Sequence, residues 1–288
     1  MVRSVALSMR PKQWTKNLIV LAPLIFSGRL GDPAAVGAAL LALVTFCLLS
    51  GAVYLVNDVR DLEQDRRHEK KRSRPIASGA LSSPVALVAA ALATAGALGI
   101  SLLLSNQFTV VALGFLVLQA AYTFGLKHAV ILDVMLIAAG FVLRIAAGTV
   151  AIDVPASPWL YLCAALLALF LGLGKRRHEL LLLEEEAGNH RAVLDDYSPE
   201  LLDVMLSTVT AATIVTYSLY TFFSPTAERH NYLMLTIPFV VYGVFRYLYL
   251  MYKRNLGGSP EEILLTDVPL IITILGWLAA SGVVIYFA

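Results

Sequence analysis

Asn57, Asp58, Asp61 and Asp65 close an apolar stretch, and Lys70, Lys71, Arg72 and Arg74 follow within ten residues. On one helix advancing about 100° per residue, the four oxygen-bearing side chains fall at roughly 0, 100, 40 and 80°, so a single arc carries them all. Three carboxylates on one face repel each other unless a cation sits among them. Oxygen ligands without His or Cys point to Mg²⁺, which keeps waters and takes its remaining ligands from substrate phosphates. The basic residues that follow would hold further phosphate oxygens. The chemistry implied is metal-assisted departure of a diphosphate. A plain acidic helix end with a basic juxtamembrane loop accounts for the basic half of the pattern but not for the spacing of the acidic half.

The elements that must carry these residues are membrane helices. The 288 residues are 58% hydrophobic and only 15% charged, with a mean hydropathy of +0.75, and apolar stretches near the bilayer-spanning length recur along the whole chain. We expect an all-α, polytopic bundle forming one domain over 1–288, with nine transmembrane helices near 13–28, 34–57, 83–104, 107–125, 130–151, 157–175, 201–223, 231–251 and 266–287. The helices are expected to surround one cytoplasm-facing cavity. If alternate loops face opposite sides, 18 of the 22 Lys and Arg collect with the N-terminus, the 58–82 loop, Lys127, a 175–200 loop and Lys253/Arg254, against Arg29 and Arg229 opposite. The positive-inside rule then places that side in the cytoplasm and the protein in the plasma membrane. No signal-peptide pattern opens the sequence. Cys47 and Cys163 both fall within apolar spans and read as filler. Nothing in the charge pattern calls for a nucleic acid, and a homo-oligomer is left open.

Two intramembrane charges stand out. Asp133 and Arg144 are eleven residues apart, about three turns, so they share a face at a spacing of roughly 16 Å and cannot touch. An Arg at that depth faces either a polar cavity or helix-end carbonyls. Lys127 opens the same helix, as a substrate-phosphate ligand or as an interfacial anchor. Arg246 reads as a snorkelling side chain, and Glu184, Glu185 and Glu186 as a solvated helix face.

The segment Asn57-Asp58-x-x-Asp61-x-x-x-Asp65 resembles the first Asp-rich motif of the UbiA-type intramembrane prenyltransferase superfamily. More narrowly, several segments resemble its decaprenyl-phosphate phosphoribosyltransferase branch: Arg10-Pro11-Lys12-Gln13-Trp14-x-Lys16-Asn17, Tyr54 to Asp58, Lys71-Arg72-x-Arg74-Pro75, Tyr122-x-Phe124-Gly125-Leu126-Lys127, Asp133 with Arg144, and Gly174-Lys175-Arg176 with Glu179. Glu69 departs from that branch, where Pro is expected. The resemblance implies transfer of 5-phosphoribose from phosphoribosyl diphosphate to a polyprenyl phosphate, with release of diphosphate, as a step towards cell-wall arabinosyl donors. It also implies that Lys16, Asn17, Tyr122, Lys127, Asp133, Arg144, Lys175, Arg176 and Glu179 line the substrate site, beside Asp58, Asp61 and Asp65 as the catalytic acids and Asn57 as a fourth metal ligand.

Most of that superfamily carries a second acidic cluster after the sixth helix, where this chain is basic. Lys175 and Arg176 there would attract phosphate directly, which suits a co-substrate bearing its own phosphate. Two other readings are kept: a prenyl diphosphate-dependent prenyltransferase with a small acceptor, and a lipid-binding or transport protein without catalysis. The missing second Asp-rich motif argues against the first. The concentration of polar residues at one membrane face argues against the second.

Overall fold

The computed structural model describes residues 1–69, 71–155, 157–185, 194, 196–230 and 232–287, with the side chains of 183–185 outside that description. Lys70 and Glu186 therefore lie outside the described residues, as do the side chains of Glu184 and Glu185. The chain opens with α1 (Val2–Ser8), a 3₁₀ segment (Pro11–Leu21) and α2 (Ala22–Phe26), followed by α3 (Pro33–Arg60), α4 (Leu62–Arg67), α5 (Ser83–Leu104) and α6 (Asn106–Phe124). It continues through α7 (Leu132–Ala151), α8 (Pro158–Glu185), α9 (Pro199–Phe223), α10 (Pro225–Arg229), α11 (Ile237–Arg254), α12 (Pro260–Thr266) and α13 (Val268–Phe287).

Local chemistry sets many of these boundaries. Proline opens α3, α9, α10 and α12 at the first helical position, where its missing N–H costs nothing. Asp32, Ser105, Ser198 and Ser224 cap α3, α6, α9 and α10 by accepting backbone N–H groups of the first turn.

Among the described residues, eight helices are long and apolar enough to cross a membrane. Seven spans and the start of α8 follow the expected segments closely. Two differ. The first expected span, 13–28, is not a regular α-helix but the 3₁₀ segment running into α2. At about 2.0 Å rise per 3₁₀ residue and 1.5 Å per α residue it still reaches roughly 30 Å. The expected 175–200 loop begins ten residues later than anticipated, because α8 continues to Glu185. Its polar stretch of Lys, Arg and Glu consists of strong helix formers, and Arg176 pairs with Glu179 across one turn.

One core cluster joins α3, α5, α6 and α7 through Phe46, Ala97, Phe108, Phe115 and Ala147. A second joins α7, α8, α9 and α11 through Val134, Phe170, Leu202 and Tyr247. Helix α7 belongs to both. It also meets the 3₁₀ segment at backbone distance: a Cβ on Gly148 would stand 2.1 Å from the Val20 carbonyl oxygen, so no other residue fits there.

Candidate active site

The acidic motif is bent. Asn57 and Asp58 end α3, Asp61 is the junction residue at φ −89°, ψ 10°, and Asp65 lies in α4. The four residues are therefore not on one uninterrupted helix, as the spacing implied. Asp is a weak helix-interior residue, which suits it to the break. The register nevertheless survives, because Asp61 N–H donates to the Asn57 carbonyl at 2.9 Å and Asp65 N–H to the Asp61 carbonyl at 2.8 Å.

Asp58 and Asp65 are buried, and each carboxylate of the motif has a cation beside it. Arg74 Nη1 lies 2.6 Å from Asp65 Oδ2 and 3.2 Å from Asp58 Oδ1. Arg10 also donates to Asp58, and its guanidinium rests 4.8 Å above the Tyr54 ring. Lys127 Nζ stands 3.9 Å from Asp61 Oδ1. Of the basic run after the motif, Lys71 and Arg72 are exposed and Arg74 turns inward. Asn57 points elsewhere: its Oδ1 accepts a 3.0 Å bond from Thr123 Oγ1 and ties α3 to α6. Tyr122, the neighbour of Thr123, is half-buried on the last turn of α6.

Among the described residues no group of three His, Cys, Asp or Glu side chains is gathered as a ready-made metal cage. The donor set nevertheless suits a hard divalent cation. Two buried carboxylates converge on one guanidinium nitrogen, which occupies the place of a positive charge between them.

A second centre lies between α7 and α8. Asp133 is fully buried, and the Arg176 Nε is 3.3 Å from its Oδ2. Arg176 also donates to Glu179 Oε2 at 2.5 Å. Tyr197 donates to Asp133 Oδ1 at 2.8 Å and accepts the Ile131 N–H at 2.7 Å. Burial, with the nearby Asp133 carboxylate, holds the Tyr197 hydroxyl up at about 12, so it remains a donor at neutral pH. Ile131 sits at φ +69°, a costly conformation for a β-branched residue that the Tyr197 bond helps to hold. Arg176 is thus enclosed by two carboxylates and is not presented to a phosphate.

The deep Arg144 does not meet Asp133. Its guanidinium donates to Asn17 Oδ1 at 2.7 Å, to the Gly140 carbonyl at 2.9 Å and to Ser50 Oγ at 3.4 Å, between the rings of Phe115 and Phe141. Among the described residues no carboxylate pairs with it. Asn17, wholly buried, also reaches Cys47 Sγ at 3.4 Å.

Glu261 is the acidic residue that sequence reasoning passed over. A Cβ on Gly258 would stand 2.4 Å from His178 Cδ2, so the chain leaving α11 lies flush on α8, and α12 begins beside the 3₁₀ segment. Glu261 there accepts the Gln13 amide at 2.5 Å and lies 3.5 Å from Lys16 Nζ, which itself donates to Gln13 Oε1 at 2.5 Å. Burial alone would raise the Glu261 carboxyl, but the Lys16 charge, the Gln13 bond and the half-buried Lys175 outweigh it and hold it below the usual range. The one available signal was an acidic pair directly after Gly-Gly-Ser-Pro.

A bundle of membrane-crossing helices with an Asp-rich bend under a basic loop is the architecture of an intramembrane transferase. The chain belongs to the UbiA prenyltransferase family, whose model matches residues 18–261. It is 38% identical to the decaprenyl-phosphate phosphoribosyltransferase of Mycolicibacterium smegmatis, covering 98% of this chain and 92% of that one. To the protein of the same description from Corynebacterium glutamicum it is 34% identical, covering 97% and 86%. A UbiA homolog from Archaeoglobus fulgidus bound to GPP and Mg²⁺ superposes with a TM-score of 0.77 over 98% of this chain and 99% of that one, at 20% identity, and so shares the fold.

Proposed function

We propose that this chain is a polyprenyl-phosphate phosphoribosyltransferase. It moves 5-phosphoribose from phosphoribosyl diphosphate to a polyprenyl phosphate such as decaprenyl phosphate and releases diphosphate. The polar end of the bundle faces the cytoplasm, where the soluble donor is found. The observation that carries this reading is the sign of the charge on α8. Where an allylic transferase needs a second set of carboxylates, α8 carries the half-buried Lys175 beside two arginines that are themselves paired with Asp133, Glu179 and Asp203.

Asp58, Asp61 and Asp65 would hold Mg²⁺, which supplies charge neutralisation to the departing diphosphate. Arg10 and Arg74, which now sit on the same carboxylates, are placed to pass to diphosphate oxygens and keep that charge compensated as the bond to ribose C1 breaks. Lys127 holds the same group from α6–α7. Lys16, which lies 3.5 Å from Glu261, and the half-buried Lys175 suit the 5-phosphate. Positive charge develops at C1, and the acceptor's phosphate oxygen, already anionic, attacks without a strong general base.

The test uses purified protein in lipid nanodiscs with Mg²⁺, polyprenyl phosphate and donor labelled in the ribose. Label should pass into the organic phase and depend on both lipid and metal. Faster turnover of a prenyl diphosphate with a neutral phenol would overturn the reading.

A further inference from the structure

Beside the Asp-rich bend, residues of α3, α5 and α6 line a crevice of about 240 Å³. Its walls are two matched helical stripes. Val53, Val56 and Asn57 line it from α3, and Leu116, Ala120 and Thr123 from α6, with Thr94 of α5 among the lining residues. Spacings of three and four residues put each set on one helix face.

The crevice is largely apolar, with Thr94 and Gln119 among its lining residues, and at the end where Asn57 meets Thr123 it reaches the first residue of the acidic motif. One turn beyond Asn57, the exposed Arg60 donates to the Thr123 carbonyl and stacks 4.8 Å from the Phe124 ring. No carboxylate among the described residues pairs with Arg60, so a guanidinium charge stands uncompensated over the mouth. Lys127, on the next turn of chain, stands near Asp61 at the same level.

We propose that this crevice binds the acceptor lipid. The isoprenoid chain lies between α3 and α6, and its phosphate rests on Arg60 beside Asn57. The identity of the lipid rests on the phosphoribosyl-transfer reading. The arrangement favours a single-chain phosphate monoester: the slot runs between two helices joined by α5, and a lone guanidinium at its end offers a fork to terminal phosphate oxygens. A phosphate so held is at the depth of the Asp-rich bend, where its free oxygen can approach the ribose.

The full chain in phosphatidylcholine nanodiscs is labelled with a polyprenyl phosphate carrying a diazirine near its head, and the attachment sites are mapped. Label is expected on the α3 and α6 stripes, displaced by unlabelled polyprenyl phosphate and not by an equal amount of phosphatidylglycerol. Arg60→Gln removes a charge-assisted bond and Ala120→Phe fills the exposed wall, so each should cut labelling and raise the KM for the lipid about tenfold, while the KM for phosphoribosyl diphosphate stays within about twofold. Both positions are exposed, so the fold should tolerate either change. Label elsewhere on the bundle, equal displacement by phosphatidylglycerol, or unchanged labelling in both variants would overturn the proposal. If the wild-type protein takes label on the stripes but never turns over phosphoribosyl diphosphate, the transfer reading fails and the crevice stands.

Discussion

Arg74 and Asp65 meet at 2.6 Å beside α4, and the same guanidinium nitrogen reaches back across the bend to Asp58 of α3 at 3.2 Å. The basic loop therefore already neutralises the acidic motif. On the proposed reading a divalent cation would replace that guanidinium, and the released Arg would become available to an anion, so that acid and base in this motif would be alternative partners within a single exchange.

Loss of the carboxylates should stop that exchange. Asp58→Ala and Asp65→Ala are each expected to lower turnover by at least about a hundredfold, roughly 3 kcal/mol of transition-state stabilisation. The protein should remain folded in the membrane. EDTA should silence the wild-type enzyme and Mg²⁺ restore it, and wild-type rates in EDTA would remove the metal from the mechanism.

Arg176 is predicted to act on stability first. Arg176→Ala leaves Asp133 buried without its cation, a change that costs about 3–5 kcal/mol in comparable buried pairs. A large fall in Tm in detergent is the expected result. A Tm within a few degrees of wild type, with a raised KM for the phosphate-bearing donor, would instead return Arg176 to the phosphate-binding set.

Asn17 and Arg144 should behave as a unit. Each single Ala substitution breaks the same 2.7 Å bond, so the double variant should lose little more stability than the worse single one. Arg144→Lys keeps the charge but cannot reach Asn17, Ser50 and the Gly140 carbonyl together, and it too should lower Tm. Additive losses would mean that the two side chains stabilise the bundle independently.

Glu261 gives the site a pH signature. Its carboxyl is held below the ordinary glutamate value of 4.5. Its contribution is fully present above that value and is lost as pH falls through the lower folded one. Glu261→Gln should therefore lower stability most in the neutral region and leave it nearly unchanged at the lowest pH, which flattens the acid limb measured by thermal melts. An unchanged acid limb would show that Lys16 and Gln13 do not feel this carboxylate.

Much of the fold was legible because a membrane helix is written locally: an apolar run of sufficient length with a proline or capping residue at its start. The Asp-rich motif was legible for a similar reason, since its four residues are close in sequence, but the break at Asp61 was not. What could not be read were contacts between distant segments. Nothing near Glu261 reveals that a glycine pair lays it against the 3₁₀ segment more than two hundred residues away. Nothing near Asn57 shows that Thr123 takes its oxygen. Arg176 was read as a phosphate ligand because its sequence neighbours are basic, whereas its spatial neighbours are Asp133 and Glu179.

The winding of the first membrane segment has a consequence for how the site is assembled. A 3₁₀ helix has three residues per turn, so Gln13 and Lys16 stack in a single file facing Glu261, while Arg10, the left-handed residue just before the segment, turns to Asp58 on the other side. In an α-helix Gln13 and Lys16 would instead lie about 60° apart. The unusual winding thus works as a ruler with evenly spaced teeth. Inserting one residue between Arg10 and Lys16 would rotate the far tooth by about a third of a turn and part the two halves of the pocket without touching a single carboxylate.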